Sequence, residues 1–277
     1  MSAPAPYDGN DFCEAQPVNQ QTFSVAGKSV LVTGAATGIG RATALLLAEH
    51  RASVLAIGLE AHEGQSLKSE PAARTGRLHF LEVDVTQQGQ VDKAVQFAEK
   101  TFGHLDGIVN NAAICNTGKR LEDLSDEEWE TTFNVNVTGI FRVCRAALPA
   151  LRRSGGGSVV NISSVHAIAT AAGHADYAAS KGAVLALSRQ LALDYAVDRI
   201  RVNALILGAV DTRMSRRAFE ASGSPEALGL SFDLGVIPRI GRPEEVASVI
   251  AFLLSDASSY VNGSGFVADG GLLAKLL

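Results

Sequence analysis

The five uncharged residues Ser29-Val30-Leu31-Val32-Thr33 break directly into Gly34-Ala35-Ala36-Thr37-Gly38-Ile39-Gly40, and Arg41 to His50 then carries Ala44, Leu45, Leu47 and Ala48 near helical spacing. A short β-rich run that ends in glycine and opens a helix is the front of a crossover unit, because parallel strands can be joined only by a long connection. The same alternation recurs down the chain. Strand runs read at Ser53–Ile57, Leu78–Val83, Gly107–Asn110, Ser158–Ile162, Arg201–Ile206 and Gly265–Ala268. A polar helix through the 60s and helices at about 87–102, 125–153, 175–196 and 243–254 lie between them. Ser125-Asp126-Glu127-Glu128 has the form of a capping box, and Pro243 suits a first helical position, where a missing N–H costs nothing. Continuous rather than alternating apolar strands imply a parallel sheet covered on both faces. Seven of them with helices between predict an α/β, doubly wound sheet.

Nothing in the 277 residues reads as a linker or repeat, so residues 27–277 are expected to form a single domain behind an irregular, proline-containing arm at 1–26. Phe12 and Phe23 are the arm's candidate anchors. The chain is 47% hydrophobic with a net charge of −5, which argues against disorder and leaves no basic footprint for nucleic acid or an anionic membrane. No apolar run reaches the roughly 18 residues of a spanning helix. Cys13, Cys115 and Cys144 are too scattered for a disulfide framework or a zinc site, and they read as reduced thiols in a cytoplasmic protein.

In such a sheet, ligands bind beyond the carboxyl ends of the strands, near the reversal of strand order. Gly34 permits a tight turn, Gly38 admits a pyrophosphate close to the backbone, and Gly40 allows close packing of the helix on the sheet. Thr37 and Ile39 complete a turn whose helix N-terminus favours phosphate. The spacing, GxxxGxG rather than GxGxxG, resembles that of the short-chain dehydrogenase/reductase family, and the resemblance covers roughly residues 27–271 up to Asp269-Gly270-Gly271. It implies a Rossmann-type fold and an NAD(P)-dependent enzyme acting on CH–OH groups.

Further along, Tyr177-Ala178-Ala179-Ser180-Lys181 puts a tyrosine and a lysine on one face of a helix. Four tyrosines and seven lysines make a chance Tyr-x3-Lys match only about 0.1 per chain, a modest signal by itself. Ser164 stands thirteen residues before Tyr177, just past a strand. The resemblance implies that Ser164, Tyr177 and Lys181 are catalytic, with Asn136, in Asn136-Val137-Thr138-Gly139, as a fourth member binding a relay water. The chemistry suits these side chains. A phenol near pKa 10 is a poor base at neutral pH, and an adjacent ammonium with the positive nicotinamide ring would lower it. The Ser164 hydroxyl would stabilise charge on the substrate oxygen.

For the cofactor, the resemblance assigns Asp84-Val85 to the adenine and Asn110-Asn111-Ala112-Ala113 to a family NNAG-like segment, with Asn110 and Ala112 along the dinucleotide. In Leu207-Gly208-Ala209-Val210-Asp211-Thr212, Leu207 replaces the family's proline, and Gly208, Val210 and Thr212 are expected beside the carboxamide. After the second strand comes Gly58-Leu59-Glu60, with neither the usual acid at 58 nor an arginine at 59. Lacking a phosphate clamp, and with Glu60 near, the chain is read as using NAD, NADP remaining open.

The expected substrate is a small alcohol or ketone, covered by a lid at about 213–238, with Cys115, Asn116, His166 and His174 as pocket candidates. No metal site is expected. The resemblance implies a homotetramer assembled through the helices at 125–153 and 175–196, with the apolar end Leu272–Leu277 as a further contact. Two alternatives stand beside this reading. One is an NADPH-dependent ketoreductase resembling 3-oxoacyl-carrier-protein reductases, and the other a dinucleotide-binding sensor without catalysis.

Overall fold

Runs that are apolar on both sides become interior strands. In a computed structural model, which describes residues 23–74, 77–115, 118–222 and 239–274, β1 (Ser29–Thr33), β2 (Ser53–Gly58) and β4 (Gly107–Asn110) are buried at every position. With β3 (Arg77–Glu82), β5 (Gly157–Ser164), β6 (Ile200–Leu207) and β7 (Gly265–Ala268) they form one seven-stranded sheet, ordered β3-β2-β1-β4-β5-β6-β7. All six pairings are parallel. The outermost strands, β3 and β7, are only partly buried, as edges are.

The intervening elements are α1 (Gly38–Glu49), α2 (Ala61–Ser66), α3 (Gln88–Phe102), α4 (Asp126–Phe133), α5 (Gly139–Arg153), α6 (Ala175–Asp194), α7 (Arg213–Ser222) and α8 (Pro243–Leu254). Val30, Val32, Val54 and Val160 face α1 and α8 in one core. Leu31, Leu55, Ile108 and Val159 face α3, α5 and α6 in the other. This alternation of side chains across a pleated strand is what lets one sheet carry two cores.

The helices start where their chemistry permits. Ser125 Oγ accepts from Glu128 N at 3.2 Å while Glu128 Oε2 accepts from Ser125 N at 3.0 Å, completing the capping box. The single helix expected over 125–153 is three pieces. A π turn at Asn134–Thr138 separates α4 from α5 and carries Asn136. Helix α1 begins at Gly38, ahead of the expected Arg41, because the two last glycines of the turn form its first turn. At the amino end, Phe23 is 65% exposed and Val25 is the residue that enters the core. Leu272 and Leu273, both partly buried, pack on Val165, Leu185, Ala204 and Ile206. Phe12, the 223–238 part of the expected lid and residues 275–277 lie outside the described residues.

The strand order reverses between β1 and β4, and the chain ends there are tied together. Thr33 Oγ1 accepts from Asn111 N and Ala112 N, both at 2.9 Å, and Asn111 Nδ2 donates to Thr33 O at 3.0 Å and Gly34 O at 3.1 Å. Gly40 is needed for this approach, and its partner is the turn rather than the sheet. A Cβ there would lie 2.3 Å from Gly34 O and 2.7 Å from Asn111 Nδ2. Gly34 itself has φ +60°, a left-handed value that glycine adopts without strain. Replacing Gly40 by Ala is therefore expected to lower stability by about 1–3 kcal/mol in urea denaturation. It should also weaken dinucleotide binding in calorimetry, since backbone rather than a flexible side chain would have to move.

Candidate active site

The carboxyl ends of β1 to β6 open into a cavity of about 400 Å³. Its wall runs from Gly34, Thr37, Gly38 and Ile39 through Gly58, Leu59 and Glu60 to Asp84 and Val85. It continues by Asn111 and Ala112 to Ser164, Tyr177 and Lys181, and returns by Gly208, Val210 and Thr212. Of the residues expected at the cofactor, all these line the cavity. Gly40 does not, acting one layer behind.

Asn110 does not reach the cavity either. It is 2% exposed, and its Nδ2 donates to Asn161 Oδ1 at 2.8 Å inside the sheet. Side chains alternate along a strand end, so Asn110 turns to the core and Asn111 turns to the crevice. Asn111 is the cavity-lining position of the pair, which two adjacent asparagines do not distinguish in sequence.

Ser164 ends β5, and its Oγ accepts from His166 N at 3.3 Å. Tyr177 and Lys181 lie on one face of α6, with Lys181 Nζ 5.5 Å from the centre of the Tyr177 ring and donating to Ile162 O at 2.9 Å. The start of α6 is held by Asp176, 1% exposed, which accepts from Tyr177 N at 2.8 Å and from Thr132 Oγ1 at 2.6 Å. A buried carboxylate is tolerable only with such donors.

Asn136 is buried in the π turn. Its Oδ1 accepts from Ile114 N at 2.8 Å, and its Nδ2 donates to Ile114 O at 2.9 Å and to Ser180 Oγ at 3.0 Å. Ser180 Oγ in turn donates to Tyr177 O at 2.7 Å. Asn136 thus connects the segment after β4 to the tyrosine's own helical turn.

Burial dominates the electrostatics. The protein around the Tyr177 phenol holds it above its ordinary 10, against the opposing pull of a hydrogen bond with Ser164. Desolvation of the phenolate is the dominant cause in the protein alone, and the expected lowering involves the nicotinamide ring as well as Lys181. Lys181 is lowered from 10.5 to about 8, also by burial. Cys115 lines the same cavity with its thiol pushed up to about 12 by burial and by the Asp176 carboxylate, which makes it a poor nucleophile. His166 and His174 line the cavity beside Tyr177, and Asn116 lies outside the described residues.

The loop after β6 lacks its expected proline and is fastened otherwise. Asp211 N donates to Gly241 O at 2.8 Å and Gly241 N to Ala209 O at 2.9 Å. Gly208 must be glycine, since a Cβ would sit 2.9 Å from Asp269 Cα.

These features fit a nicotinamide dinucleotide. The first turn of α1 leaves its amide groups without helical partners, and Thr37 supplies no side-chain cap. Gly38, at φ +55°, keeps the backbone bare at that point. The wall then leads without interruption to the buried ammonium of Lys181.

Comparison with known proteins agrees. A family model described as enoyl-(acyl carrier protein) reductase matches residues 34–273. The chain is 38% identical over 247 residues to a 3-oxoacyl-[acyl-carrier-protein] reductase of Thermotoga maritima, covering 89% of this chain and 98% of that one. It is equally 38% identical to a cyclopentanol dehydrogenase of Comamonas testosteroni over 253 residues, 91% and 99% of the two chains. The chain belongs to the short-chain dehydrogenase/reductase family. Among solved structures, levodione reductase superposes with a TM-score of 0.86 at 31% identity, covering 91% of this chain and 99% of that one. As a member of the family, the protein is an NAD(P)-dependent oxidoreductase acting on CH–OH groups.

The shifted Lys181 has a consequence for stability. Unfolded, a lysine keeps its proton up to about pH 10.5, whereas the folded protein releases it near 8, so the unfolded state binds more protons in between. Stability contributed by this residue therefore rises with pH from about 8 to 10. Tyr177 acts in the opposite sense, but only above pH 10, where the folded state keeps a phenolic proton that the unfolded chain loses. Urea denaturation at two pH values within the first window should show wild type gaining on Lys181→Met. Parallel behaviour of the two proteins would mean that Lys181 titrates as an ordinary lysine.

Proposed function

We propose that this enzyme interconverts a cyclic secondary alcohol and its ketone, using NAD(H), with Tyr177 as general acid/base. The observation that carries the reading is the meeting of Ser164, Tyr177 and Lys181 at one end of a cavity that begins at the glycine-rich turn. Bound nicotinamide supplies the acceptor for the hydrogen that leaves the alcohol carbon with its electron pair. The protein's part is proton transfer and positioning. Ser164 Oγ holds the substrate oxygen, Tyr177, as the phenolate that the charge of a bound nicotinamide would favour, takes the hydroxyl proton, and Lys181 keeps a positive charge against the phenol's ring face. Asn136 orders the turn that carries Tyr177, and a water on its remaining acceptor site would connect Lys181 to solvent and pass the proton outward.

A cyclic alcohol is favoured by kinship with the cyclopentanol dehydrogenase and with a cyclohexanol dehydrogenase of Acinetobacter, 36% identical over 248 residues. Val165, Met214 and Ala218 give the cavity apolar lining of the kind such a ring needs.

The choice of NAD rests on charge. Among the described residues, Arg41 and Arg213 stand near the Gly58–Glu60 end, and both are committed. Arg41 donates to Glu63 O at 3.0 Å and Glu70 Oε1 at 2.5 Å, and Arg213 pairs with Glu63 Oε1 at 2.9 Å. A 2′-phosphate would have to displace these carboxylates. The likeness to a 3-oxoacyl-[acyl-carrier-protein] reductase favours the second reading, an NADPH-dependent ketoreductase, and the same experiment separates the two.

We also read the enzyme as a cytoplasmic homotetramer. Trp129, Phe141 and Leu193 remain exposed on α4, α5 and α6, the helices expected at the interface, and Cys115 and Cys144 are free thiols. Light scattering should return four times the 28.9 kDa chain mass.

Calorimetric titration is expected to give tighter binding of NADH than of NADPH, and cyclohexanol should be oxidised with NAD⁺. Tyr177→Phe should fold and still bind NADH while kcat/KM falls by about 10²–10⁴. Substantial turnover by that variant would remove Tyr177 from the chemistry, and tighter NADPH binding would favour ketone reduction.

A further inference from the structure

Between β5 and α6, two histidines stack beside the tyrosine. The rings of His166 and His174 lie 4.6 Å apart at 26°, and His166 meets the Tyr177 ring edge-on at 5.6 Å. Their tautomers follow from their partners. His174 Nδ1 lies 2.9 Å from Ala172 O, and a carbonyl only accepts, so this nitrogen carries hydrogen. His166 Nδ1 lies 2.8 Å from Thr170 Oγ1, whose own hydrogen goes to Ala171 O at 3.3 Å. His166 Nδ1 is therefore a donor as well.

With Nδ1 carrying the hydrogen, the neutral form of either ring leaves Nε2 with a lone pair. Both rings line the cavity, and among the described residues neither Nε2 has a hydrogen-bond partner. Burial and the neighbouring His174 hold His166 down to about 4, so it stays an acceptor throughout the neutral range. The cavity lining also includes the apolar Val165, Met214 and Ala218 and the Cys115 thiol.

We infer that His166, with His174 stacked behind it, forms an acceptor subsite for a second hydroxyl on the substrate. The natural substrate is then a cyclic diol or hydroxyketone rather than a simple alcohol or a dione. This rests on the alcohol-oxidation reading above and narrows it. A cavity built to accept from a hydroxyl discriminates against an analogue that cannot donate, because the half-buried acceptor, once the ligand has displaced water, is then left unpaired. His166 is a specificity-determining residue in this scheme and takes no part in proton transfer from the reacting carbon's oxygen. His174 positions it through the stack.

The test compares cyclohexanol, the 1,2-, 1,3- and 1,4-cyclohexanediols and the mono-methyl ether of the best diol, in wild type and His166→Phe. Phenylalanine keeps an aromatic face for the stack and removes both nitrogens. Wild type should prefer one diol over cyclohexanol by tenfold or more in kcat/KM, mainly through KM, and the methyl ether should lose that preference. In His166→Phe the diol-to-cyclohexanol ratio should fall by tenfold, whereas a purely structural role would depress both substrates alike and leave the ratio intact. A second readout needs no turnover. With NAD⁺ bound to Tyr177→Phe, the His166 Cε1–Hε1 NMR signal should shift on adding the diol and stay in place with the ether. The inference is overturned by a wild type that prefers no diol, by an unchanged ratio in His166→Phe, or by a silent His166 signal. Absence of turnover on every alcohol with either dinucleotide, while the signal still responds to the diol, would instead overturn the alcohol-oxidation reading and leave the subsite standing.

Discussion

Between β1 and β4 the chain must part, since one crossover leaves to each side of the sheet, and the parting has to be held at a fixed width. Four hydrogen bonds do this: the Thr33 hydroxyl takes two backbone amides, and the Asn111 amide reaches two turn carbonyls. Gly40 can approach Gly34 O only because it has no side chain, so the first turn of α1 comes down on the same cluster. The crevice that can accept a dinucleotide is thus the space these contacts leave open. Everything farther along the cavity, including the tyrosine and lysine, is registered to it through β4, β5 and the segment from Asn111 to Ile114 that Asn136 grips.

At the reacting end, burial decides the charge states. The ammonium of Lys181 has one carbonyl and one aromatic face in place of water, and this is too little, so its proton is held weakly. The Tyr177 phenol is held neutral for the same reason. Each shift opposes what a base at neutral pH requires. The free protein is therefore poised with a reluctant acid beside a reluctant cation. A positive ring brought next to them favours the phenolate, and a water-excluding substrate strengthens every such interaction. On the proposed reading, the bound cofactor's charge supplies what the protein alone does not.

The sequence discloses much of this because the physics is local. β1, β4 and β7 match their expected bounds to the residue, since each is an apolar run stopped by glycine, asparagine or a turn. Tyr177 and Lys181 could be placed together because four residues along a helix share a face. What could not be read depends on partners distant in sequence. The π turn at Asn134–Thr138 adds one residue to a helical repeat, and no residue type there announces it. The exchange of roles between Asn110 and Asn111 depends on the pleat at a strand end. The direction of the Tyr177 shift depends on how tightly other segments close around it. The two histidines were visible as pocket candidates, but their tautomers are set by Thr170 and Ala172, and only the folded turn brings those into range.

The adenosine end of the cavity shows the same dependence on distant partners. Gly58-Leu59-Glu60 reads ambiguously in sequence, with no acid at the expected position and no arginine beside it. In the fold, Glu63 on α2 accepts from Arg41 of α1 through its carbonyl and from Arg213 of α7 through its carboxylate, while Glu70 takes the other arm of Arg41. Arg41 and Arg213 are thus taken up by Glu70 and Glu63, and Glu60 on the cavity wall adds a further carboxylate at this end. A 2′-phosphate would bring roughly two more negative charges to this end and would have to break partly exposed pairs that also fasten α7 to α2. Each such pair is individually weak. Discrimination on this reading comes from the surplus of acid and not from a dedicated ribose contact, and it should weaken as salt screens the acids.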